Sequence, residues 1–371
     1  MSTIEDISSF VFTRLFFPKK IIIDTPGIII NKLMQKYGTS QSQHRALFFF
    51  EDIMSNLQKK SIQKLGEREA SELWYEVGKD VAYRYFFLSN TKKLPSFLQK
   101  TTIEYALGGF SAAGQTFAKN VVFDSSKKSL IAKGDNNIVC RKTKLGDFSS
   151  GLVSGVVSFF TGENIEAKNM CRCPNCLIVA NAEIPTRYLP NLDKIKVDLQ
   201  NYNLNFPYVL INKKEGHSFK DLIKFRKIIV DKNSKLSYGN HALIIGEVGL
   251  FYIIADKFIE KTSVREFEFV VISSSEKIAK GILKKHHSEQ EKINETFKVL
   301  SALGFGTFSY KKEKKLFKVT STWTPYCNNK FYFQYLILCG FMNTIYNTKF
   351  CVQSMRFEKK ESKLHLSFFP H

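Results

Sequence analysis

Hydrophobic and polar positions change period several times along the 371 residues, and each change marks an element. Ile21-Ile22-Ile23 is a short β-branched run followed by Asp24-Thr25-Pro26-Gly27, which predicts a strand and a tight turn. Helical spacing then predicts one helix over 47–65 and another over 67–87, where Leu73, Trp74, Val77, Val81 and Tyr85 recur. Gly78 weakens that helix, so it is expected where another helix packs closely. The helical pattern continues over 94–105. From Gly108 the spacing shortens, predicting strands over 108–117, 120–123 and 129–132. A helix is predicted over 147–161, ended by Gly162-Glu163-Asn164, and then a hairpin of 165–169 and 177–181 around a group of cysteines.

Residues 185–205 hold Pro185, Pro190 and many Asn and read as a boundary. Beyond it the order of elements recurs. Helices are predicted over 249–261, with a start as early as Leu243, and over 276–303. Gly304-Phe305-Gly306 marks the change to strands over 307–310 and 315–321, followed by a helix over 330–347 and strands over 351–357 and 363–369. The segment from Phe148 to Gly155 aligns without a gap on that from Phe333 to Gly340, and Ala106-Leu107-Gly108 meets Ala302-Leu303-Gly304. The expected fold is therefore α+β: two tandem copies of a helical layer packed on a small antiparallel β-sheet. Residues 1–40 form an extension, 41–184 the first copy, 185–235 a connecting segment, and 236–371 a second, degenerate copy.

Composition narrows the function classes. Hydrophobic residues make up 44% of the chain and 34 residues are Phe, enough for a large core and against a disordered or fibrous protein. The net charge of +21 attracts nucleic acid and anionic membrane alike. Lysines, however, lie in scattered pairs such as Lys127-Lys128, Lys213-Lys214 and Lys284-Lys285, with no helix-turn-helix, zinc-finger or RNA-recognition signature. No run of apolar residues reaches the length of a spanning helix, and the first residues lack a signal peptide's charged and cleavage regions, so a cytoplasmic protein is expected.

Seven cysteines, an odd number, do not read as a disulfide framework. Cys171, Cys173 and Cys176 fall on one turn with Pro174 and Asn175, a shape that presents several thiolates to one Zn²⁺. Cys140, at the start of a helix expected beneath that hairpin, is the natural fourth ligand. Zinc binding, redox-active thiols and a disulfide all remain open for these four residues. Cys327, Cys339 and Cys351 lie along apolar segments and read as core residues, with Cys327 in the position that corresponds to Cys140. Trp74, Tyr75, Tyr83, Tyr85, Phe86 and Phe87 are candidates for the lining of an apolar cavity, or for plain core. Nucleophile-elbow and Walker-type glycine motifs are absent.

These residues resemble the 4-vinyl reductase domain family, ligand-binding modules akin to the core subunits of the TRAPP vesicle-tethering complex. The resemblance rests on Tyr75-Glu76-Val77-Gly78, Cys140, the pair Gly151 and Gly155, and the Cys171–Cys176 cluster, with Pro325-Tyr326-Cys327 and Gly340 in the second copy. The cysteine spacing is tighter than the family's, and in the second copy Met355-Arg356-Phe357 runs where the cluster belongs. The resemblance implies a small apolar or lipid-like ligand, and pairing either between the two copies or in a homodimer. Nothing in the sequence supplies a hydride source or a proton donor for reduction, so a non-enzymatic binding or sensor protein is expected. An interaction scaffold and a basic nucleic-acid-binding protein are the alternatives.

Overall fold

The structure is a computed structural model. It describes residues 21–31, 45–88, 95–112, 117–135, 137, 140–170, 175–195, 218–230, 236–313, 316–322, 324–325, 332–358 and 363–370. The chain is α+β, with helices packed on small antiparallel sheets. The first half runs β1 (Ile21–Thr25), β2 (Ile28–Asn31), β3 (Arg45–Phe50), α1 (Glu51–Leu65), α2 (Glu67–Leu88) and α3 (Ser96–Ala112). It continues with β4 (Phe117–Asp124), β5 (Ser129–Asp135), α4 (Cys140–Thr143), α5 (Asp147–Thr161), β6 (Glu166–Asn169) and β7 (Asn175–Asn181). The second half runs α6 (Phe219–Lys224), β8 (Ile228–Val230), β9 (Leu236–Tyr238), β10 (His241–Glu247), α7 (Val248–Lys261), α8 (Val264–Leu283) and α9 (Glu289–Ala302). It ends with β11 (Thr307–Glu313), β12 (Leu316–Thr322), α10 (Tyr332–Tyr346), β13 (Phe350–Glu358) and β14 (Lys363–Pro370).

Each half contributes one four-stranded sheet, ordered β4-β5-β7-β6 and β11-β12-β14-β13, so both place the last strand inside the third. A six-stranded sheet, β1-β2-β3-β10-β9-β8, joins the halves and takes three strands from each. Its centre is the antiparallel pair β3 and β10, in which Phe48 faces Ile245. Strands β1, β2 and β8 come from residues that read as extension and connecting segment in the sequence.

Glycine sets the tightest helix contacts. Glycines on α2 and α5 let these two helices cross backbone to backbone: a Cβ on Gly78 would lie 2.1 Å from the Phe148 carbonyl oxygen, and one on Gly151 would lie 2.0 Å from that of Tyr75. Close packing at Gly78 thus occurs as its place in the pattern predicts. Helices α8 and α10 cross similarly, where a Cβ on Gly340 would lie 2.5 Å from Ser275 Cβ.

Three boundaries differ from the sequence reading. Helix α3 runs on to Ala112, because Ile103 and Leu107, one helical turn apart, are both buried in the core. Residues 45–50 and 243–247 are strands and not the first turns of helices. Both are unbroken buried runs, for which periodicity does not separate strand from helix. The long helix expected over 276–303 is two helices. Ser263 caps α8 by accepting from the Glu266 amide, and Ser288 opens α9 with a reciprocal capping box to Glu291. Ser274 and Ser275, small buried residues at the α10 crossing, interrupt the apolar face in the middle of α8.

Candidate functional site

The cysteine site is built on α4, a helix of four residues beginning at Cys140. So short a segment has little stability of its own, and α1 holds it. Arg141 donates to both oxygens of the buried Glu51 carboxylate, Lys142 pairs with Asp52, and Thr143 bonds Gln58, whose amide in turn reaches the Leu145 carbonyl at 3.3 Å. Asp52 also meets Nδ1 of His241, from β10 of the other half, at 2.9 Å. The His241 contact and the Lys142 ammonium, against the cost of burial, lower the Asp52 carboxyl to about 2.

On this base Cys140 is 1% exposed, and its Sγ lies 3.7 Å from Sγ of Cys176, itself buried on β7. The Asn169 amide of β6 donates to the Cys176 sulfur at 3.8 Å and fills the space over Gly146, where a Cβ would lie 1.9 Å from its nitrogen. Cys140 is disulfide-bonded in this structure. Cys171 and Cys173 lie outside the described residues, as does Cys327. Of the four predicted ligands the fold therefore brings Cys140 and Cys176 together. Among the described residues no group of three or more His, Cys, Asp or Glu is placed to hold a metal ion. Asn169 was not anticipated, since a lone Asn at the end of a strand has no signal in the sequence. Of the remaining cysteines, Cys339 is buried, with its thiol pushed up to about 12 mainly by loss of solvation, and Cys351 is partly exposed.

An apolar cleft adjoins the sulfurs. Leu107 of α3 and Phe148, Leu152 and Val153 of α5 form one wall, and Ala132 and Ile178 of the sheet the other. Gly134, which lines the cleft, is the strand partner of Cys176, and the carbonyl of the buried Asn137, also lining it, accepts from the Arg141 amide. The wall of the cleft is thus continuous with the backbone that carries the two sulfurs. Its interior volume is about 30 Å³, room for one or two waters. The aromatics of α2 do not line it. Trp74 and Phe86 are packed into the core, with the Trp74 indole donating to Ser61 and Phe86 stacked on Phe159.

A second polar centre lies beneath α2. Lys79 and Glu166 have fully buried side chains and pair at 2.8 Å. Lys79 also donates to Asn164 at 2.7 Å and to the Tyr188 carbonyl at 2.9 Å, while Tyr75 donates to Glu166. Burial works against the Glu166 anion, but the hydrogen bonds from Lys79 and Tyr75 outweigh it and hold the carboxyl below its ordinary range. Burial, reinforced by Glu166, pushes the Tyr75 phenol well above its usual value, so it stays protonated and donating. The stretch of chain after β7 closes this centre: Arg187 stacks 4.0 Å over the Tyr75 ring, and the Tyr188 hydroxyl donates to Asp80 at 3.1 Å. Lys257 of α7 reaches Glu76 at 2.9 Å, linking the centre to the second half. Every charge in it has an opposite partner, as a structural clamp requires.

No helix among the described residues is long and apolar enough to cross a membrane. No family model matches the chain, and no curated protein matches it. Among solved structures, the phenol-responsive sensory domain of the transcription activator PoxR with phenol is similar at 13% identity and a TM-score of 0.33, over 49% of this chain and 92% of that one.

Proposed function

We propose that the first half of the chain is a non-enzymatic, sensor-type module of the 4-vinyl reductase kind, which binds a small apolar molecule in the cleft beside a zinc thiolate clip. The observation that carries this reading is the 3.7 Å between the Cys140 and Cys176 sulfurs. Two thiolates each about 2.3 Å from a tetrahedral zinc lie about 3.8 Å apart, so the donor pair fits that ion when reduced. Cys171 and Cys173 are the residues that would complete the set. Bound zinc would supply folding energy, tying α4 and the β6–β7 hairpin together at the edge of the cleft. With an interior of about 30 Å³, the cleft takes a ligand only as α5 and the sheet separate. Repetition of strand order in the two four-stranded sheets supports a duplication, with the second half a copy that lacks the clip.

Purification without chelator, followed by elemental analysis, is expected to find one zinc per chain, and Cys140→Ser with Cys176→Ser to lose it together with several degrees of Tm. Absence of zinc from reduced wild type, with the double variant melting unchanged, overturns the clip. Native mass spectrometry and thermal shifts with small aromatic compounds test the cleft. No retained mass and no shift at saturating concentrations would remove the sensor reading.

One observation favours an interaction scaffold as the second reading. Val122, Ile131 and Val179 form a continuous cross-strand row on the outer face of the first sheet, with Val122 59% and Ile131 48% exposed. The corresponding row at the middle of the second sheet, Ser309–Thr320–His365, is polar. A stable complex lost on Ile131→Lys would support the scaffold over the sensor.

A further inference from the structure

We infer that the turn between α6 and β8 is a docking tip that seats this chain on an anionic lipid surface. Phe225, at the turn, and Ile229, four residues on, are 53% and 54% exposed. Lys220, Lys224 and Arg226 are exposed around them. Such a combination, apolar side chains ringed by cations, matches the boundary between headgroups and acyl chains, where the rings and branches enter and the cations stay at the phosphates.

The tip stands on a rigid base. Ser218 and Asp221 form a reciprocal capping box at the start of α6. Phe219 and Leu222 are buried, and the Phe219 ring stacks on Phe48 at 3.7 Å, at the centre of the six-stranded sheet. Backbone bonds from Phe225 to the Asp221 carbonyl, Arg226 to Ile223 and Lys227 to Leu222, at 2.8, 2.9 and 2.9 Å, close the turn. Arg226 is held at φ 55°, a conformation that a non-glycine residue adopts only at some cost. The backbone of the tip is thus preorganised, and little of its conformational freedom is lost on docking.

The charges nearby point the same way. The Asp221 carboxylate accepts from the Ser218 amide, and Lys227 turns inward to Glu295 at 2.5 Å. Glu295 also accepts from Tyr238, and Lys298 stands close enough for its ammonium to be lowered, by burial first and then by Lys227. Asp221 and Glu295, the described acidic groups beside the turn, are thus engaged by the fold. No ion pair involves Lys224 or Arg226 among the described residues, and both are exposed on either side of Phe225. Ile229 favours a bilayer over nucleic acid, since it has no ring on which a base could stack.

The full chain is expected to co-sediment with phosphatidylcholine vesicles containing phosphatidylglycerol, not with phosphatidylcholine alone, and to be released by salt. Phe225→Ser should lower the partition coefficient about tenfold at unchanged charge. Lys224→Glu with Arg226→Glu should lower it about tenfold or more. Circular dichroism confirms that each variant is folded. In Phe225→Trp, emission beyond that of the wild type should shift to the blue on vesicles and be quenched by brominated acyl chains. Insensitivity of partitioning to Phe225→Ser, a water-like signal from the introduced indole, or equal binding to neutral vesicles overturns the proposal. So does RNA binding that depends on Lys224 and Arg226 in a chain that ignores vesicles.

Discussion

Phe48 of β3 faces Ile245 of β10 at the centre of the six-stranded sheet, and each lies three residues ahead of the first long helix of its half. Phe49 pairs with Ile244 and Leu47 with Gly246 on either side, so the register runs outward from this pair in the same steps in both directions. It is the register expected of two equivalent strands meeting antiparallel. The pair also ties the outer surface to the core, because Phe219 stacks on Phe48 directly beneath the α6 tip.

The helix crossings are sensitive to a single methyl group. Gly151→Ala places a Cβ 2.0 Å from the Tyr75 carbonyl oxygen, a backbone atom that cannot move alone. A loss of about 3 kcal/mol is expected in denaturant unfolding. Gly108, also helical, has nothing within 4 Å of such a Cβ. Gly108→Ala should instead raise stability by up to about 1 kcal/mol. Equal effects at the two sites would show that the crossing is looser than described.

Breaking the buried Lys79–Glu166 pair exposes its cost. Glu166→Gln leaves the Lys79 ammonium without a charged partner in a dry site, and a loss of about 3–5 kcal/mol is expected. Lys79→Met combined with Glu166→Gln should cost clearly less than the sum of the single changes. Additive losses in a double-mutant cycle would mean that the two side chains do not act as a unit.

Acid should weaken the staple that holds α4. The Asp52 carboxyl is lowered from 3.8 to about 2, so its contribution is complete above the ordinary value and fades as pH falls through about 2. The contribution is about 2.5 kcal/mol at most, and less in practice because both partners are partly exposed. His241→Gln removes the largest cause, and the Asp52 carboxyl titration followed by NMR should then move up toward its ordinary value. An unmoved titration would detach His241 from the site.

The elements were largely legible in the sequence because their signals are local. Helix α5, the β6–β7 hairpin, Gly162 as a helix end and the strands after Gly304 follow from periodicity and turn residues alone. So did the close packing expected at Gly78, since glycine inside a strong helical pattern has few other uses. The buried runs over 46–50 and 243–246 were not legible, because a segment without polar positions carries no period.

By itself, then, the sequence determined an α+β chain in which one order of elements occurs twice, and it singled out Cys140, Cys171, Cys173 and Cys176 by their chemistry. Tertiary structure alone decided that the Cys140 and Cys176 sulfurs lie 3.7 Å apart, that Asn169 donates to Cys176, and that α4 is pinned by carboxylates of α1. It also decided that β1, β2 and β8, from an apparent extension and connecting segment, complete the central sheet. The physical reason is the same in each case. Strand pairing, buried ion pairs and the meeting of cysteine sulfurs join residues far apart in the chain, and no local period records which partner a residue will meet.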